Sequence, residues 1–493
     1  MISFLICACA LILGYVIYGF IVERVFAPDP ARLTPAVSQN DGVDFIPMPT
    51  WKVFFIQLLN IAGTGPIFGA IAGALFGPSA FVWIVLGSIF AGAVHDYLSG
   101  MLSVRGGGSG LPEIVGKYLG RTTSSIMLVF CVLLLLMVGA VFVYSPASIL
   151  GTMTGGSDPR GATMIWVCIV IVYYLIATLV PIDKIIGKLY PLFAAALLFM
   201  AISLFVCLIV KWPAGIPEFW DGLGNRNPSS GALFPCLFVS IACGAISGFH
   251  ATQSPLMARC IKNEKLGRPI FYGSMITEGL IALIWAAVAS YYFYGGGISD
   301  FGAAAVNPAT GEAFTDAPNI VSLVCKEWLG VAGSILALLG VVIAPITSGD
   351  TALRSARLII ADSFKLNQKP LLNRLYICVP LFVITAAILW YSIVDKDGFN
   401  VIWRYFGWSN QTLACFTLWA LTVFLAKERK GCAYLMTLVP AIFMTAVCIS
   451  YIATAKIGFN LPAASIPWVA AATVSVCVLW FALWFRTRVR GRR

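Results

Sequence analysis

Charged residues make up only 11% of these 493 residues, against 60% hydrophobic ones. An ordinary soluble domain carries about 25% charge, so the shortfall excludes a soluble enzyme. Histidine is scarcer still: His95 and His250 are the only two. No H-E-x-x-H and no G-x-x-x-x-G-K-[ST] occurs, which argues against metalloprotease and ATP-binding chemistry. The 14 cysteines include no C-x-x-C pair. Neither a disulfide framework nor a zinc site is expected, and they read as small buried hydrophobes. The opening segment MISFLICACALILGYVIYGF has no basic leader and no small-residue cleavage site before Glu23-Arg24. It is expected to be a retained helix rather than a signal peptide.

Apolar length is abundant. Stretches of about 20 residues recur along the chain, whereas barrel strands would alternate over short segments. The expected fold class is an all-α polytopic membrane protein. Thirteen spans are predicted, near 2–22, 53–77, 80–102, 124–147, 163–181, 189–210, 232–252, 272–295, 328–346, 375–394, 407–426, 432–453 and 464–485. With the N-terminus outside, 25 of the 32 Lys and Arg fall on one set of loops and the C-terminal tail, and 7 on the other. That bias assigns the richer side to the cytoplasm, with the N-terminus outside and the C-terminus cytoplasmic; the plasma (inner) membrane is the location that the family resemblance given below implies. The net charge of +11 is then topogenic. It faces anionic headgroups and requires no nucleic acid. The segment near 296–327 is expected to be an extracellular loop.

Two spans contain residues that suit a helix poorly. NIAGTGPIFGAIAG (60–73) holds four glycines and Pro66; FPCLFVSIACGAISGFHATQSP (234–255) holds Gly244, Ser247 and Gly248 before Pro255. In lipid, a broken helix is tolerated only where its freed backbone groups face protein or a wet cavity. The spacing of Gly65, Gly69 and Gly73 also fits close small-xxx-small packing. Taking 53–77 and 232–252 as core helices 1 and 6, four spans lie between them, so the two run in opposite senses. The expected organisation is a first helix and cytoplasmic loop (1–52), a first inverted repeat (53–211), a second (212–426), and two extra helices with a basic tail (427–493). Secondary transporters of this plan bind substrate and ions at such breaks, near the bilayer midplane. Unpaired N–H groups of half-helices suit an anion, and exposed carbonyls suit a cation. The predicted substrate-binding residues are Asn60, Ala62, Gly63, Thr64 and Gly65 with Gly244, Ala245, Ser247 and Gly248. No cofactor is expected.

TPAVSQNDGVDFIP (34–47), GAVHD (92–96), FPCLFVSIACGAISGFHA (234–251), TSGDTALRSAR (347–357) and YFGWSNQTLA (405–414) together resemble the carbon starvation protein A (CstA) family, from the first helix to about residue 426. The resemblance implies a LeuT-like inverted-repeat fold and an inner-membrane importer of the carbon-starvation response, carrying pyruvate with protons, or peptides. The family commonly has glutamine where this chain has His95, which weakens an essential relay role for that histidine. Asp96, His250 and Glu278 keep their matches.

Ionisable groups within spans default to functional candidates. Asp96 is read either as a proton carrier or as the partner of an arginine such as Arg105 or Arg354. Glu278 is read as a coupling carboxylate or as a bond to a neighbouring helix. His250 is read as a relay or a tie between helix ends. Thr347, Ser348 and Asp350 offer oxygen ligands for a hard cation. In LeuT-like transporters a sodium site lies between core helices 1 and 8, where Thr347 and Ser348 would fall, so Na+ is the alternative to H+ as coupling ion. Asp350 otherwise caps a short helix from Thr351. Arg354 and Arg357 are expected to snorkel at the headgroup boundary. WSNQT (408–412) either lines an outer vestibule or makes interhelical hydrogen bonds. The favoured function is proton-coupled import of a small carboxylate; peptide import, sodium coupling and a channel are the alternatives. Substrate and membrane lipid are the expected partners, with the oligomeric state open.

Overall fold

Glycine and proline punctuate the apolar runs, and the helices break where they cluster. The computed structural model describes residues 1–156, 158–179, 186–228, 231–306, 311–368, 370–395, 398–429 and 431–488. Outside them lie Lys184, Lys369, Lys396, Lys430, Arg490, Arg492 and Arg493 of the charge count, and the end of the 163–181 span. The described regular structure is helical, apart from a single bridge between Val306 and Ala313.

The elements that matter below are α1 (Ile2–Phe26), α2 (Thr50–Ile61), α3 (Gly65–Ala74), α4 (Ser79–Arg105) and α5 (Arg121–Thr154). They continue with α6 (Ile186–Lys211), α7 (Leu233–Ser240), α8 (Gly248–Ala258), α9 (Glu264–Tyr294), α10 (Ala317–Ser363), α11 (Gly398–Glu428), α12 (Leu435–Thr454) and α13 (Ile466–Arg488). Among the described residues, 11 helices are long and apolar enough to cross a membrane, and α2 with α3, bent by 54°, makes a twelfth. The count therefore differs from the predicted 13. The difference is 232–252, which forms two short helices, α7 and α8, with residues 241–247 unwound between them.

The predicted span 328–346 is also corrected. Pro345 does not end it: α10 runs from Ala317 to Ser363, kinked at Gly330 (φ 65°). The 296–327 segment is accordingly part helix, with Gly297–Phe301 and the first turns of α10 inside it.

Burial sorts the helices into two kinds. In α9, 89% of the most apolar window is buried in the protein; in the Ala463–Arg488 helix the share is 6%. A helix apolar all round belongs either in a core or against lipid. Thus α4, α9 and α11 form the centre and α1 and α13 the rim. Hydrogen bonds also tie the predicted loops together by side. On the basic face, Arg105 reaches Glu264 (2.9 Å) and the Ala27 carbonyl, Asn263 reaches Pro30, and Arg259 reaches Gly108 and Asp362. On the opposite face, Glu218 accepts the N–H groups of Ile2 and Ser3, Ser79 donates to Leu223, and Tyr294 to Leu75.

Candidate functional site

The unwound segments meet. α2 stops at Ala62, whose ψ of 59° leaves the helix, and a π-helical turn over Gly65–Gly69 restarts the chain as α3. Turns of this kind recur at functional sites. The glycine stripe lies flat on the other break: a Cβ at Gly69 would come 2.7 Å from the Ser240 carbonyl, Gly65 abuts Cys243 and Gly73 abuts Ile241. The small-residue spacing thus serves close packing and the break together. Gly63 faces the ring of Phe142, and the Ser348 hydroxyl donates to the Leu59 carbonyl (2.6 Å).

Gln57 and Asn60 stand one turn apart on α2, and Thr64 follows just beyond its end, before the chain restarts at Gly65. All three are fully buried, and both polar atoms of each amide and the Thr64 hydroxyl lack a hydrogen-bond partner. Buried polar groups are normally paired, so three unpaired ones in eight residues make this break a candidate binding place. The sequence reading named Asn60 and Thr64 and missed Gln57, although its position one turn earlier was a legible signal.

The second break is held by its neighbours. Gly244 adopts φ +89°, a conformation open to glycine and strained for other residues. Its carbonyl accepts from Ser88 (2.8 Å), and the Ile241 carbonyl accepts from Trp83 (3.0 Å). Ala245 packs on Gly87 and Gly92, and Gly248 on Asn410 and Ala414. Asn410 pairs one of the half-helix N–H groups: its Oδ1 accepts from the Ser247 hydroxyl (3.0 Å) and the Phe249 N–H (2.7 Å), capping α8. WSNQT makes interhelical bonds, since Gln411 also donates to Phe238 and Trp408 to Cys448.

Asp96, His250 and Glu278, from α4, α8 and α9, converge beside this break. Nδ1 of His250 lies 2.9 Å from one Asp96 oxygen, Nδ1 of His95 lies 2.8 Å from the other, and Nε2 of His250 is 3.4 Å from Glu278. All four side chains are fully buried. The arginine partner predicted for Asp96 is therefore replaced by two imidazoles. Cys243 Sγ completes a buried trio with His250 and Glu278, all within 4.8 Å, a donor set that could hold a metal ion; its thiol is directed to Ser247 (3.5 Å).

The remaining candidates sit elsewhere on α10. Thr347 turns its hydroxyl to its own helix, at Ile343 and Ala344. Asp350 is mid-helix and caps nothing; it accepts hydrogen bonds from Tyr190 (2.7 Å) and Tyr173 (3.3 Å). Arg354 and Arg357 do not snorkel: each is 1% exposed. Two of the three predicted groups, the breaks and the carboxylate–imidazole chain, thus adjoin; of the third, only Ser348 touches a break.

Comparison with known proteins places the chain in a family and a fold. The family described as "Carbon starvation protein CstA" matches residues 1–165, 160–328 and 298–451. A Haemophilus influenzae protein named only as an uncharacterized membrane protein is 47% identical, over 59% of this chain and 91% of its own length. The Escherichia coli peptide transporter CstA is 25% identical (88% of this chain, 78% of that one), and the pyruvate/proton symporter BtsT of the same organism is also 25% identical (86% and 77%). A crystallised Eremococcus coleocola manganese transporter has the same fold, with a TM-score of 0.55 at 14% identity, covering 92% of this chain and 99% of that one. On matches that run through most of its length, this chain belongs to the carbon starvation protein CstA family.

Proposed function

We propose that the chain is a secondary active importer of a small carboxylate, with pyruvate the favoured substrate, coupled to protons and working by alternating access. The single observation that carries this reading is the buried Asp96–His250–Glu278 chain, set against the unwound segment whose Gly244 packs on Pro66 of the other break. In such a site Gln57, Asn60 and Thr64 orient the substrate. A proton held between His250 and Glu278 enters and leaves as the breaks open alternately to either side. The breaks are read as core helices 1 and 6 of inverted repeats over 53–211 and 212–426, and the basic face as cytoplasmic. The relative named as a pyruvate/proton symporter supports both substrate and coupling ion.

Peptide import is the second reading, favoured by the relatives named as peptide transporters. Sodium coupling is the alternative that Ser348 on the Leu59 carbonyl favours. Uptake of labelled pyruvate and of labelled dialanine into proteoliposomes, with pH and sodium gradients imposed separately, tests all of these. Accumulation of pyruvate under an inward proton gradient alone is the expected result. Accumulation of dialanine without pyruvate would overturn the substrate, and strict sodium dependence the coupling ion.

A further inference from the structure

Below the breaks, α10 carries charge into the protein interior. Arg354 and Arg357 follow Ser348 by six and nine residues, about 9 and 14 Å along the helix axis. Both are 1% exposed, and between them sits Asp44, 5% exposed, from the segment 34–47. Buried charges cost several kcal/mol unless they are paired well; Arg354 donates to the Ala177 carbonyl, but the ion pairing of both arginines with Asp44 is loose. One oxygen, Oδ1 of Asp44, lies 3.6 Å from Arg354 Nη1 and 3.5 Å from Arg357 Nη2, and it makes no hydrogen bond. Charge-assisted bonds between a guanidinium and a carboxylate are usually about 2.7–2.9 Å and often bidentate. Arg357 Nη1 is taken by Gln368 (2.6 Å), while its Nε is buried with no hydrogen bond. A third buried guanidinium, Arg374, is held by the Gln368 and Leu179 carbonyls. Asp350, one turn above Arg354, is engaged by its two tyrosines.

The carboxylate that fills this place is on a strap. The Oδ1 of Asp41 accepts from the N–H groups of Val43, Asp44 and Phe45, which fixes the turn presenting Asp44. Thr34, Ile46 and Met48 pin the strap to the carbonyls of Ile261, Arg259 and Cys260. Buried Gln253 and Ser355, bonded at 3.2 Å, continue the polar seam between α8 and α10.

We propose that Arg354 and Arg357 form a second carboxylate-binding site, on the exit path from the breaks, in which Asp44 occupies the place of the substrate's carboxylate. A departing carboxylate takes the two N–H groups that face Asp44, Nη1 of Arg354 and Nη2 of Arg357, and releases the strap; once it leaves, Asp44 returns and seals the path. The proposal rests on the reading of the protein as a carboxylate importer, but its test needs no transport.

Purified Asp44→Ala and Asp44→Asn proteins are melted in detergent at fixed pH and ionic strength, with sodium acetate, sodium pyruvate or sodium chloride. The expected result is that both carboxylates raise the melting temperature of at least one variant by about 3 °C over chloride, that the wild type responds far less, and that adding Arg357→Gln abolishes the rescue. Equal responses to carboxylate and chloride overturn the proposal. A second measurement covers variants too unstable to purify: maleimide labelling of Cys260, fully buried behind the strap, read by peptide mass spectrometry on membranes. Asp44→Asn should raise labelling several-fold; unchanged labelling overturns the proposal. Rescue without pyruvate or dialanine uptake by the wild type would leave this site standing and remove the importer reading. Uptake without rescue would do the reverse.

Discussion

Single side chains at the site are set by what burial allows. Glu278 contacts the Nε2 of His250 in a fully enclosed position, so its charge and its proton are both expensive to misplace. Glu278→Gln keeps the shape and removes the titration. It is expected to abolish proton-driven accumulation while sparing substrate exchange, as read by gradient-driven uptake against counterflow in the same vesicles. Loss of both in a well-folded protein would make Glu278 a binding or structural group instead. Gly244 tests the breaks. An L side chain in its left-handed conformation costs roughly 1–2 kcal/mol, and the new Cβ would meet Ala282 at 2.6 Å. Gly244→Ala should therefore lower both the melting temperature and uptake. Gly431→Ala is the control, since Gly431 has φ +75° but nothing within 4 Å. It shares the backbone cost and should retain uptake.

The elements depend on caps supplied from far along the chain. α8 is an 11-residue helix that starts inside the protein, where its first N–H groups find no water. Asn410 of α11 supplies the acceptor. Asn410→Leu should cost about 1–2 kcal/mol and increase amide exchange selectively over 248–258, whereas Asn410→Asp, which keeps the acceptor oxygens, should cost less. Uniform loosening of the whole molecule would contradict a local capping role. α10 shows the opposite case. Its continuity through Pro345 carries Arg354 and Arg357 inward, whereas local reading ends the span at 346 and leaves both arginines at the boundary. Pro345 has no N–H to give the Val341 carbonyl one turn earlier, and its own carbonyl accepts from Tyr174 at 3.2 Å.

At the scale of the whole molecule, the central helices carry the polar residues and the rim carries bare apolar surface. Val476, Leu479 and Leu483 of α13 are each 63–66% exposed, as a lipid-facing helix would be. If the coupling reading is right, accumulation in intact vesicles should rise with an inward pH gradient, collapse on adding a protonophore, and be indifferent to sodium. Sodium-driven accumulation that survives the protonophore would shift coupling toward Ser348 and Leu59.

The sequence by itself determined the helical class, the positions of both breaks and the sorting of loops onto two faces. These follow from local quantities: apolar length, clustered glycines and the distribution of Lys and Arg. Tertiary structure alone decided who partners whom. His250 and Asp96 are 154 residues apart, and Asn410 caps a helix more than 160 residues away. Whether a charged residue on a long helix meets lipid headgroups or another buried charge depends on which neighbour covers that face, and no local pattern encodes it. Asp44 between Arg354 and Arg357 is the clearest instance: the residues were visible one by one, and the strap that joins them exists only in the fold.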